Sequence, residues 1–378
     1  MTAEHTQVQR HAIPGRIPPD RPLAPGGALP ADAPGSPLCA APDMEADWAR
    51  AVAILTSAPE VCLACHIRPD GDALGSMLAV AHALRSRAGS TGQRIIASFG
   101  DQPFEIPRIL RFLPGADLLS PPDSYPARPR VMVTFDAASA DRLGMLEACA
   151  ARAEELIVLD HHASNTRFGT LHLIDPAAAA TAVLAHDLIG RLGIPITRDI
   201  AFGLYAGIVT DTGSFKYSTT SPRVHQIAAQ LLATGIEPGA VALELWDTVP
   251  FGYLGMLSCV LDRAVLEPDG AAGHGLVWTT VSRADRAAFG LHYDVAESVI
   301  DVLRRAEEAD VAVVFKESDD GQWMVSSRSK GNVDVGRACT RAGGGGHRSA
   351  AGFTAPGTVE QAMAFLREYL ADGAVSRR

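Results

Sequence analysis

Short apolar segments alternate with longer alanine- and leucine-rich segments from about residue 46 onward, and this alternation constrains the fold more than any other feature of the chain. Segments with the length of buried strands are residues 61–65, 94–99, 131–135, 156–159, 275–281, 311–316 and 323–327. Segments with helical length and periodicity are residues 48–56, 73–87, 181–192, 200–209, 224–234 and 295–306. Because strands that alternate with helices form a mostly parallel sheet covered on both faces, we expect an α/β fold.

Side chains that bind metals occur in four separated segments, each where an apolar run ends. In open parallel sheets, ligands bind beyond the carboxyl ends of the strands, so one cleft can collect these segments. Their carboxylates and imidazoles suffice to hold two divalent cations, and such a pair can hydrolyse a phosphate ester. The four segments are residues 66–72 (with His66, Asp70 and Asp72), Asp136, the triplet Asp160–His161–His162, and Asp211.

The mixture of ligands narrows the choice of metal. Carboxylate oxygens favour hard cations such as Mn²⁺ and Mg²⁺, and imidazole extends the choice toward Fe, Co and Zn. We therefore expect two divalent cations, with Mn²⁺ as the first choice. Pro69 fixes the backbone of the first segment and Gly71 frees it, so that the loop can fold tightly around the metals.

The charge of the chain excludes some classes of partner. Its 33 lysine and arginine residues against 43 aspartate and glutamate residues argue against a protein that coats long duplex nucleic acid. A short oligonucleotide or a nucleotide phosphate needs only a local basic patch. No apolar stretch approaches the roughly 18 residues that a membrane span needs, so we expect no membrane partner. The 6 scattered cysteines suit a reduced, cytoplasmic setting.

Changes of composition divide the chain into four parts. Residues 1–46 are rich in proline, glycine and alanine without periodicity, which predicts a disordered tail. Residues 47–245 carry the metal-binding segments and form the predicted catalytic domain. A turn signal at residues 267–270 predicts a linker over residues 246–270. Residues 271–375 form a smaller predicted α/β domain.

Three motifs carry a resemblance to a known family. Residues 66–76 read HIRPDGDALGS, residues 160–162 are the triplet Asp-His-His, and residues 343–352 read GGGGHRSAAG. With these motifs the chain resembles the DHH phosphoesterases that have a DHH-associated C-terminal domain, over roughly residues 47–375. Within that family it is most similar to the nano-RNase and pAp-phosphatase group of bifunctional oligoribonucleases.

The resemblance implies a role for each residue of the motifs. The implied metal ligands are His66 and Asp70 for one ion, Asp72, His161 and Asp211 for the other, and the bridging Asp136 for both. His162 would face the scissile phosphate, and Asp160 would orient a ligand imidazole. The segment after the triplet departs from the family pattern, because residues 175–183 lack the glutamate that many members carry and keep only Thr181.

The C-terminal domain supplies the implied substrate contacts. The positions that resemble nucleotide-binding positions of the family are Arg328, Ser329, Gly345, Gly346 and His347. The stretch 328–348 is locally basic, which opposes the negative charge of the whole chain, and its glycine-rich residues 343–346 are predicted to form a loop. Backbone N–H groups of glycines approach an anion closely, and an imidazole adds a further donor.

The resemblance implies a metal-dependent phosphodiesterase that degrades nano-RNA and dinucleotides to nucleoside 5′-monophosphates, in the manner of an exoribonuclease. Removal of the 3′-phosphate from pAp is the expected second activity. The alternative enzyme is a cyclic dinucleotide phosphodiesterase of the c-di-AMP type. The alternative of another class is a nucleotide-binding sensor without catalysis. The sequence does not rank the three substrates, and it leaves the oligomeric state open, a homodimer included.

Overall fold

The computed structural model describes residues 44–355 and 357–372, apart from the side chains of residues 90 and 91. The strands are β1 (Glu60–Cys65), β2 (Arg94–Phe99), β3 (Val131–Phe135), β4 (Glu155–Asp160), β5 (Leu171–Ile174), β6 (Val265–Glu267), β7 (Leu276–Val281), β8 (Val311–Glu317), β9 (Trp323–Ser329), β10 (Gly345–His347) and β11 (Ala350–Ala355). The α-helices are α1 (Glu45–Ser57), α2 (Gly71–Thr91), α3 (Glu147–Ala150), α4 (Thr181–Arg191), α5 (Arg198–Asp211), α6 (Pro222–Leu232), α7 (Pro238–Leu245), α8 (Phe251–Asp262), α9 (Gly270–Gly273), α10 (Arg283–Ala288), α11 (Val299–Leu303), α12 (Val335–Arg341) and α13 (Val359–Asp372). Short 3-10 helices lie at Arg108–Leu110, Ala116–Leu118, Pro122–Ser124, Ala140–Leu146 and Tyr293–Ser298.

The first sheet is parallel throughout, with the strand order β2-β1-β3-β4-β5. Strands β1, β3 and β4 are buried along almost their whole length, as expected for strands that are covered on both faces. Because all the strands point the same way, the residues that follow them meet at one edge. His66, Asp136 and His161 lie directly after β1, β3 and β4 at this edge. The predicted α/β fold is confirmed.

Helices α2 and α5 pack against each other through two glycines. A Cβ atom on Gly75 would lie 2.3 Å from the carbonyl oxygen of Gly203, and a Cβ atom on Gly203 would lie 2.4 Å from the carbonyl oxygen of Gly75. The two backbones therefore approach without side chains between them. This packing brings the first turn of α2, which contains Asp72, close to the last turn of α5, which ends at Asp211.

The second sheet has the order β10-β11-β9-β8-β7-β6. Strands β7 and β8 are parallel and the other neighbours are antiparallel. One face packs on α12 and α13, with Val335 and Leu366 buried there, and the other packs on α8 and α11, with Met256 and Ile300 buried there. This is the smaller, mixed α/β region that the sequence predicts.

Two predicted elements differ from the structure. Residues 343–346 are predicted as a loop, but Gly345–His347 forms the edge strand β10 and pairs with β11. A run of glycines has no apolar alternation, so its strand depends on the neighbouring strand alone. The helix predicted over residues 295–306 is a 3-10 segment at Tyr293–Ser298 followed by the short α11.

The predicted linker, residues 246–270, contains ordered elements. Helix α8 and strand β6 lie within it, and Tyr253, Met256 and Val260 of α8 are buried against the second sheet. Much of this segment therefore contributes to the C-terminal core. The domain boundaries at residues 245 and 271 stay a prediction.

The predicted tail, residues 1–46, falls outside the described residues up to residue 43, and α1 begins at Glu45. None of the helices in the described ranges combines the length and the apolar character needed to cross a membrane. The cysteines in these ranges, Cys62, Cys65, Cys149, Cys259 and Cys339, are free thiols.

Candidate metal centre

His66, directly after β1, presents one ring nitrogen to two carboxylates. Its Nδ1 lies 2.8 Å from the carbonyl oxygen of Ile67, so Nδ1 donates there and Nε2 keeps a free lone pair. Nε2 lies 3.8 Å from Oδ1 of Asp70 and 3.5 Å from Oδ2 of Asp136. Asp70 is fixed as the N-cap of α2, where its Oδ1 accepts two backbone hydrogen bonds of 3.0 Å each. His66, Asp70 and Asp136 form one group that could hold a cation.

Asp136 lies between this group and a second one. It follows β3 with φ of 58°, a left-handed backbone conformation that residues other than glycine rarely adopt. Its Oδ2 faces His66, while its Oδ1 lies 3.4 Å from Nε2 of His161 and accepts a 2.8 Å hydrogen bond from Oγ1 of Thr181. Burial opposes the charge of Asp136, but the contact with His66 and the other neighbouring imidazoles lower its pKa overall, so the carboxylate is ionised.

The second group consists of Asp72, His161 and Asp211. Nε2 of His161 lies 3.1 Å from Oδ2 of Asp211 and 3.8 Å from Oδ2 of Asp72. Nδ1 of His161 lies 3.1 Å from the carbonyl oxygen of Ala178 and donates a hydrogen bond to it. In the described part of the chain, Nε2 is buried without a well-formed hydrogen bond. A buried lone pair that faces carboxylate oxygens is unfavourable unless a cation lies between them, so these donors fit a divalent metal.

Asp72 is fully buried and acts as the cap of another helix. The N-cap residue of α4 is an alanine, which offers no side-chain oxygen. The carboxylate of Asp72 takes that place and accepts hydrogen bonds from the backbone N–H of Thr181 at 2.6 Å and of Ala182 at 2.8 Å. Oγ of Ser76 donates to it at 3.1 Å, and Gly207 leaves the room that it needs, since a Cβ there would lie 2.7 Å from Oδ1.

The second group concentrates negative charge away from water. Burial and the neighbouring carboxylates raise the pKa of Asp72, and burial raises the pKa of Asp211 despite its contact with His161. Burial disfavours a proton on His161, yet the contact with Asp211 and the other carboxylates raise its pKa overall. Cations that bind among these carboxylates would remove their mutual repulsion.

His162 is oriented by its own partner. Its Nδ1 lies 2.7 Å from Oδ1 of Asp160, which is fully buried and also accepts a 2.5 Å hydrogen bond from Nδ2 of Asn165. The resemblance implied that Asp160 orients a ligand imidazole. In the structure it orients His162, which is outside the predicted ligand set, while the predicted ligand His161 donates to a backbone carbonyl. The turn after β4 directs the second histidine of the triplet back toward the aspartate.

His347 reaches the metal groups from the second sheet. Its ring stacks on His162 with centroids 4.6 Å apart and planes at 19°, and it lies 4.6 Å from the ring of His161. Burial and the positive charges of these two imidazoles lower the pKa of His347 to about 4, so it is neutral at pH 7. Space beside Gly345 is open, whereas a Cβ on Gly346 would lie 2.6 Å from the carbonyl oxygen of Ala350. The site therefore draws residues from both sheets.

The two predicted substrate residues of β9 differ in their surroundings. The guanidinium of Arg328 donates a 3.1 Å hydrogen bond to the carbonyl oxygen of Ser327 and keeps further donors. Ser329 is buried, and its Oγ donates to Oδ2 of Asp310 at 2.8 Å. The Ser329 hydroxyl thus supports the second sheet from inside, and its position does not support the predicted substrate contact.

Sequence reasoning misses several polar residues that surround the predicted ligands. Ser76, Asn165 and Arg142 give no local signal, although Nη2 of Arg142 lies 3.4 Å from Nδ1 of His66. Thr181 opens a predicted helix after a run of alanines, and the lack of a polar cap there could have indicated that a carboxylate from elsewhere serves as one.

Comparison with family models and known proteins agrees with this geometry. Residues 60–208 match the DHH family N-terminal domain, and residues 279–372 match the DHHA1 domain. The chain is 32% identical over 322 residues to the bifunctional oligoribonuclease and PAP phosphatase NrnA of Thermus thermophilus, which covers 82% of this chain and 90% of that protein. It is 29% identical over 227 residues to the cyclic-di-AMP phosphodiesterase GdpP of Geobacillus thermodenitrificans, which covers 58% of this chain and 33% of that protein.

A solved structure has the same fold. It is that of an exopolyphosphatase-related protein from Bacteroides fragilis, with a TM-score of 0.75 at 23% identity. The alignment covers 86% of this chain and 96% of the other, so both sheets have counterparts there.

Proposed function

The chain belongs to the DHH family of phosphoesterases, which are metal-dependent enzymes, and from this premise we propose that it hydrolyses phosphodiester bonds in very short oligonucleotides. The products are nucleoside 5′-monophosphates. Removal of the 3′-phosphate from pAp is the proposed second activity, because a terminal phosphate fits the same pair of metals. The name of the Thermus thermophilus relative, a bifunctional oligoribonuclease and PAP phosphatase, supports both activities.

The position of Asp136 carries this proposal. One carboxylate oxygen lies 3.5 Å from Nε2 of His66, and the other lies 3.4 Å from Nε2 of His161. A carboxylate with one oxygen toward each group supports two cations side by side. The proposed ligands are His66 and Asp70 for one ion, Asp72, His161 and Asp211 for the other, and Asp136 for both. Mn²⁺ is the proposed metal because it accepts both carboxylate and imidazole ligands.

The residues around the metals fix the geometry of the reaction. When bound, the two cations would supply an activated water and neutralise charge on the phosphate. Thr181 holds Asp136 by one hydrogen bond, and the first turn of α4 holds Asp72 by two more. Burial disfavours a charge on His162, but the bond to Asp160 raises its pKa overall. His162 can therefore present a proton at Nε2 to the scissile phosphate.

The second sheet is the proposed binding surface for the nucleotide. His347 stacks on His162 with 4.6 Å between ring centroids, so a substrate must enter between the two sheets. Such an entrance favours a short strand over a long one. Arg328 offers unused guanidinium donors, and Gly345 leaves open space for close approach of a phosphate or base.

The test is a side-by-side measurement of kcat/KM with Mn²⁺ for a dinucleotide, pAp and cyclic di-AMP. The proposal predicts turnover of the dinucleotide and of pAp, loss of both activities in excess EDTA, and recovery when Mn²⁺ is restored. The absence of turnover with any short phosphodiester by the metal-loaded protein would refute it.

A cyclic dinucleotide remains the second candidate substrate. The similarity to a cyclic-di-AMP phosphodiesterase supports it weakly, because the match spans 58% of this chain. A higher kcat/KM for cyclic di-AMP than for the dinucleotide would favour it, and tight binding of all three without turnover would favour a sensor.

The proposed setting is the cytoplasm, which the free thiols of the described cysteines support. Light scattering would test the homodimer.

A further inference from the structure

Two arginines lie beside the group of His66, Asp70 and Asp136. Arg142 approaches His66, with Nη2 3.4 Å from Nδ1, and the charges of Arg68 and Asp70 act on its guanidinium. Neither guanidinium has a salt bridge to a carboxylate within the ranges that the structure describes. The role proposed above for the metal centre uses neither of them.

The backbone fixes where both arginines stand. Arg68 has φ of 51°, and its N–H donates to Oδ2 of Asp101 at 2.7 Å. Strained backbone of this kind persists only where the surroundings enforce it, and it concentrates at functional sites. The next residue back, Ile67, donates its N–H to the carbonyl oxygen of Arg142 at 2.8 Å. The two segments are therefore joined directly beside His66.

The protonation that metal binding requires leaves Arg142 without an acceptor on His66. When Nε2 of His66 binds a cation, its proton resides on Nδ1 and is donated to Ile67. Nδ1 of His66 and Nη2 of Arg142 are then both donors, so their 3.4 Å contact is not a hydrogen bond. The guanidinium of Arg142 is always protonated. A partly desolvated cation without a partner favours an anion as its ligand.

The balance of charge around the metal centre also favours an anion beside the two arginines once the metals are bound. The four carboxylates of the two groups would balance two divalent cations, which leaves the arginines in excess on the His66 side. The other acids near these arginines already have partners or lie at the surface: Asp101 accepts from the backbone of Arg68, Glu297 forms an ion pair with Lys316, Asp320 accepts from Ser318 and Gln322, and Asp141 is exposed. His162 and His347 lie on the other side of Asp136, beside His161.

We infer that Arg68 and Arg142 bind a second, non-scissile phosphate of the substrate, so that the enzyme prefers short oligonucleotides with a terminal phosphate. The inference rests on the proposed function, because the scissile phosphate must occupy the metals while the second phosphate occupies the arginines. The same preference favours pAp, which carries one phosphate on each side of its ribose, over adenosine 3′-monophosphate.

The test measures binding without turnover. The probes are a diadenosine in which a methylene group replaces the bridging 3′-oxygen of the linkage, and the 5′-phosphorylated and 3′-phosphorylated forms of this diadenosine. This linkage resists hydrolysis and keeps the negative charge that occupies the metals. Calorimetry with the Mn²⁺-loaded protein should show one phosphorylated form binding about 10- to 100-fold more tightly than the bare probe, as expected for charge-assisted hydrogen bonds. Arg68→Ala and Arg142→Ala should bring this ratio toward one, and Arg142→Lys should retain part of it.

Arg130→Ala is the matched control. Arg130 is an exposed arginine just before β3, at the opposite end of the strand from Asp136, and it pairs with Glu154. This variant should keep the full preference for the phosphorylated probe. Equal binding of all three probes by the unmodified protein, or an unchanged ratio in both alanine variants, would overturn the inference.

Kinetics separate this inference from the proposed function. In Arg68→Ala and Arg142→Ala, KM should rise much more for the phosphorylated dinucleotide than for the unphosphorylated dinucleotide. If Arg142→Ala instead weakens all three probes alike, Arg142 only supports His66 and the inference fails. Failure of the proposed function appears as no turnover of any substrate, which does not alter the binding ratio.

Discussion

Three of the predicted ligands, His66, His161 and Asp136, are held by contacts that leave one atom free for a metal. His66 and His161 donate Nδ1 to backbone carbonyls at 2.8 Å and 3.1 Å, and both keep Nε2 toward the carboxylates. One carboxylate oxygen of Asp136 accepts a hydrogen bond from the hydroxyl of Thr181. Contacts of this kind fix tautomer and orientation, and they matter nearly as much as the ligands themselves.

Thr181→Ala removes the hydroxyl that donates to Asp136 without touching any ligand. Because Asp136 then loses its fixed orientation, activity at limiting Mn²⁺ should fall roughly 10- to 100-fold. Thr181→Ser keeps a hydroxyl at the same position and should retain most of the activity. Mn²⁺ titrations of dinucleotide turnover by the two variants measure this, and equal activities would show that the bond to Asp136 is unimportant.

The sequence predicts the candidate metal ligands well, but it does not predict the residues that surround them. His66, Asp136 and His161 each follow an apolar strand, and parallel strands end at one common edge, so their meeting could be predicted. Arg142 lies in the 3-10 helix Ala140–Leu146 and Asn165 in the loop after β4, and nothing in the local sequence fixes where such segments point. Their positions follow from tertiary contacts alone.

At the scale of elements, the glycine contact between α2 and α5 sets the distance between Asp72 and Asp211. Gly203→Ala places a Cβ 2.4 Å from the carbonyl oxygen of Gly75, so the helices must separate. Overpacking of this kind should lower the free energy of unfolding by about 1–3 kcal/mol. Urea denaturation checks this.

Gly190 provides the control for that substitution. It lies near the end of α4, and a Cβ there meets no atom within 4 Å. Gly190→Ala should therefore leave stability unchanged or raise it by roughly 0.4–1 kcal/mol, because alanine restricts the unfolded chain. If Gly203→Ala were as stable as Gly190→Ala, the close approach of α2 and α5 would be wrong.

Asp187 of α4 and Arg223 of α6 form an ion pair that makes stability depend on pH. Burial opposes ionisation of Asp187, but its bonds to His186 and Arg223 lower its pKa overall. A carboxyl with a lowered folded-state pKa stabilises the protein above its unfolded pKa, and this contribution is lost as the pH falls through the folded value. Asp187→Asn should lower the free energy of unfolding at pH 7 by about 1 kcal/mol. The difference in free energy of unfolding between this variant and the unmodified protein should shrink below about pH 4. A difference that stays constant with pH would contradict this role of the ion pair.

Elements with a clear apolar pattern could be predicted, and those without it could not. Strands β2 and β3 have the bounds that the sequence predicts. Strand β10 consists of two glycines and a histidine, and it exists because β11 provides its hydrogen bonds. Helix α11 is short because the preceding turn is a 3-10 helix, which periodicity does not distinguish from an α-helix.

At the scale of the whole molecule, the proposed site draws on both sheets. The stacking of His347 on His162 joins a residue of the second sheet to the triplet of the first. His347→Ala should raise KM for a dinucleotide about 10-fold through loss of a substrate contact, while kcat changes little. Steady-state kinetics at saturating Mn²⁺ test this, and an unchanged KM would count against a binding role.

The central claim is that two cations share Asp136, whose oxygens face His66 and His161 at 3.5 Å and 3.4 Å. The most direct test is dinucleotide turnover by Asp136→Ala across an Mn²⁺ titration, with Arg130→Ala as the control. Loss of the shared carboxylate should reduce turnover by more than about 100-fold even at saturating Mn²⁺, whereas the control keeps full activity. Near-normal turnover by Asp136→Ala would contradict the account.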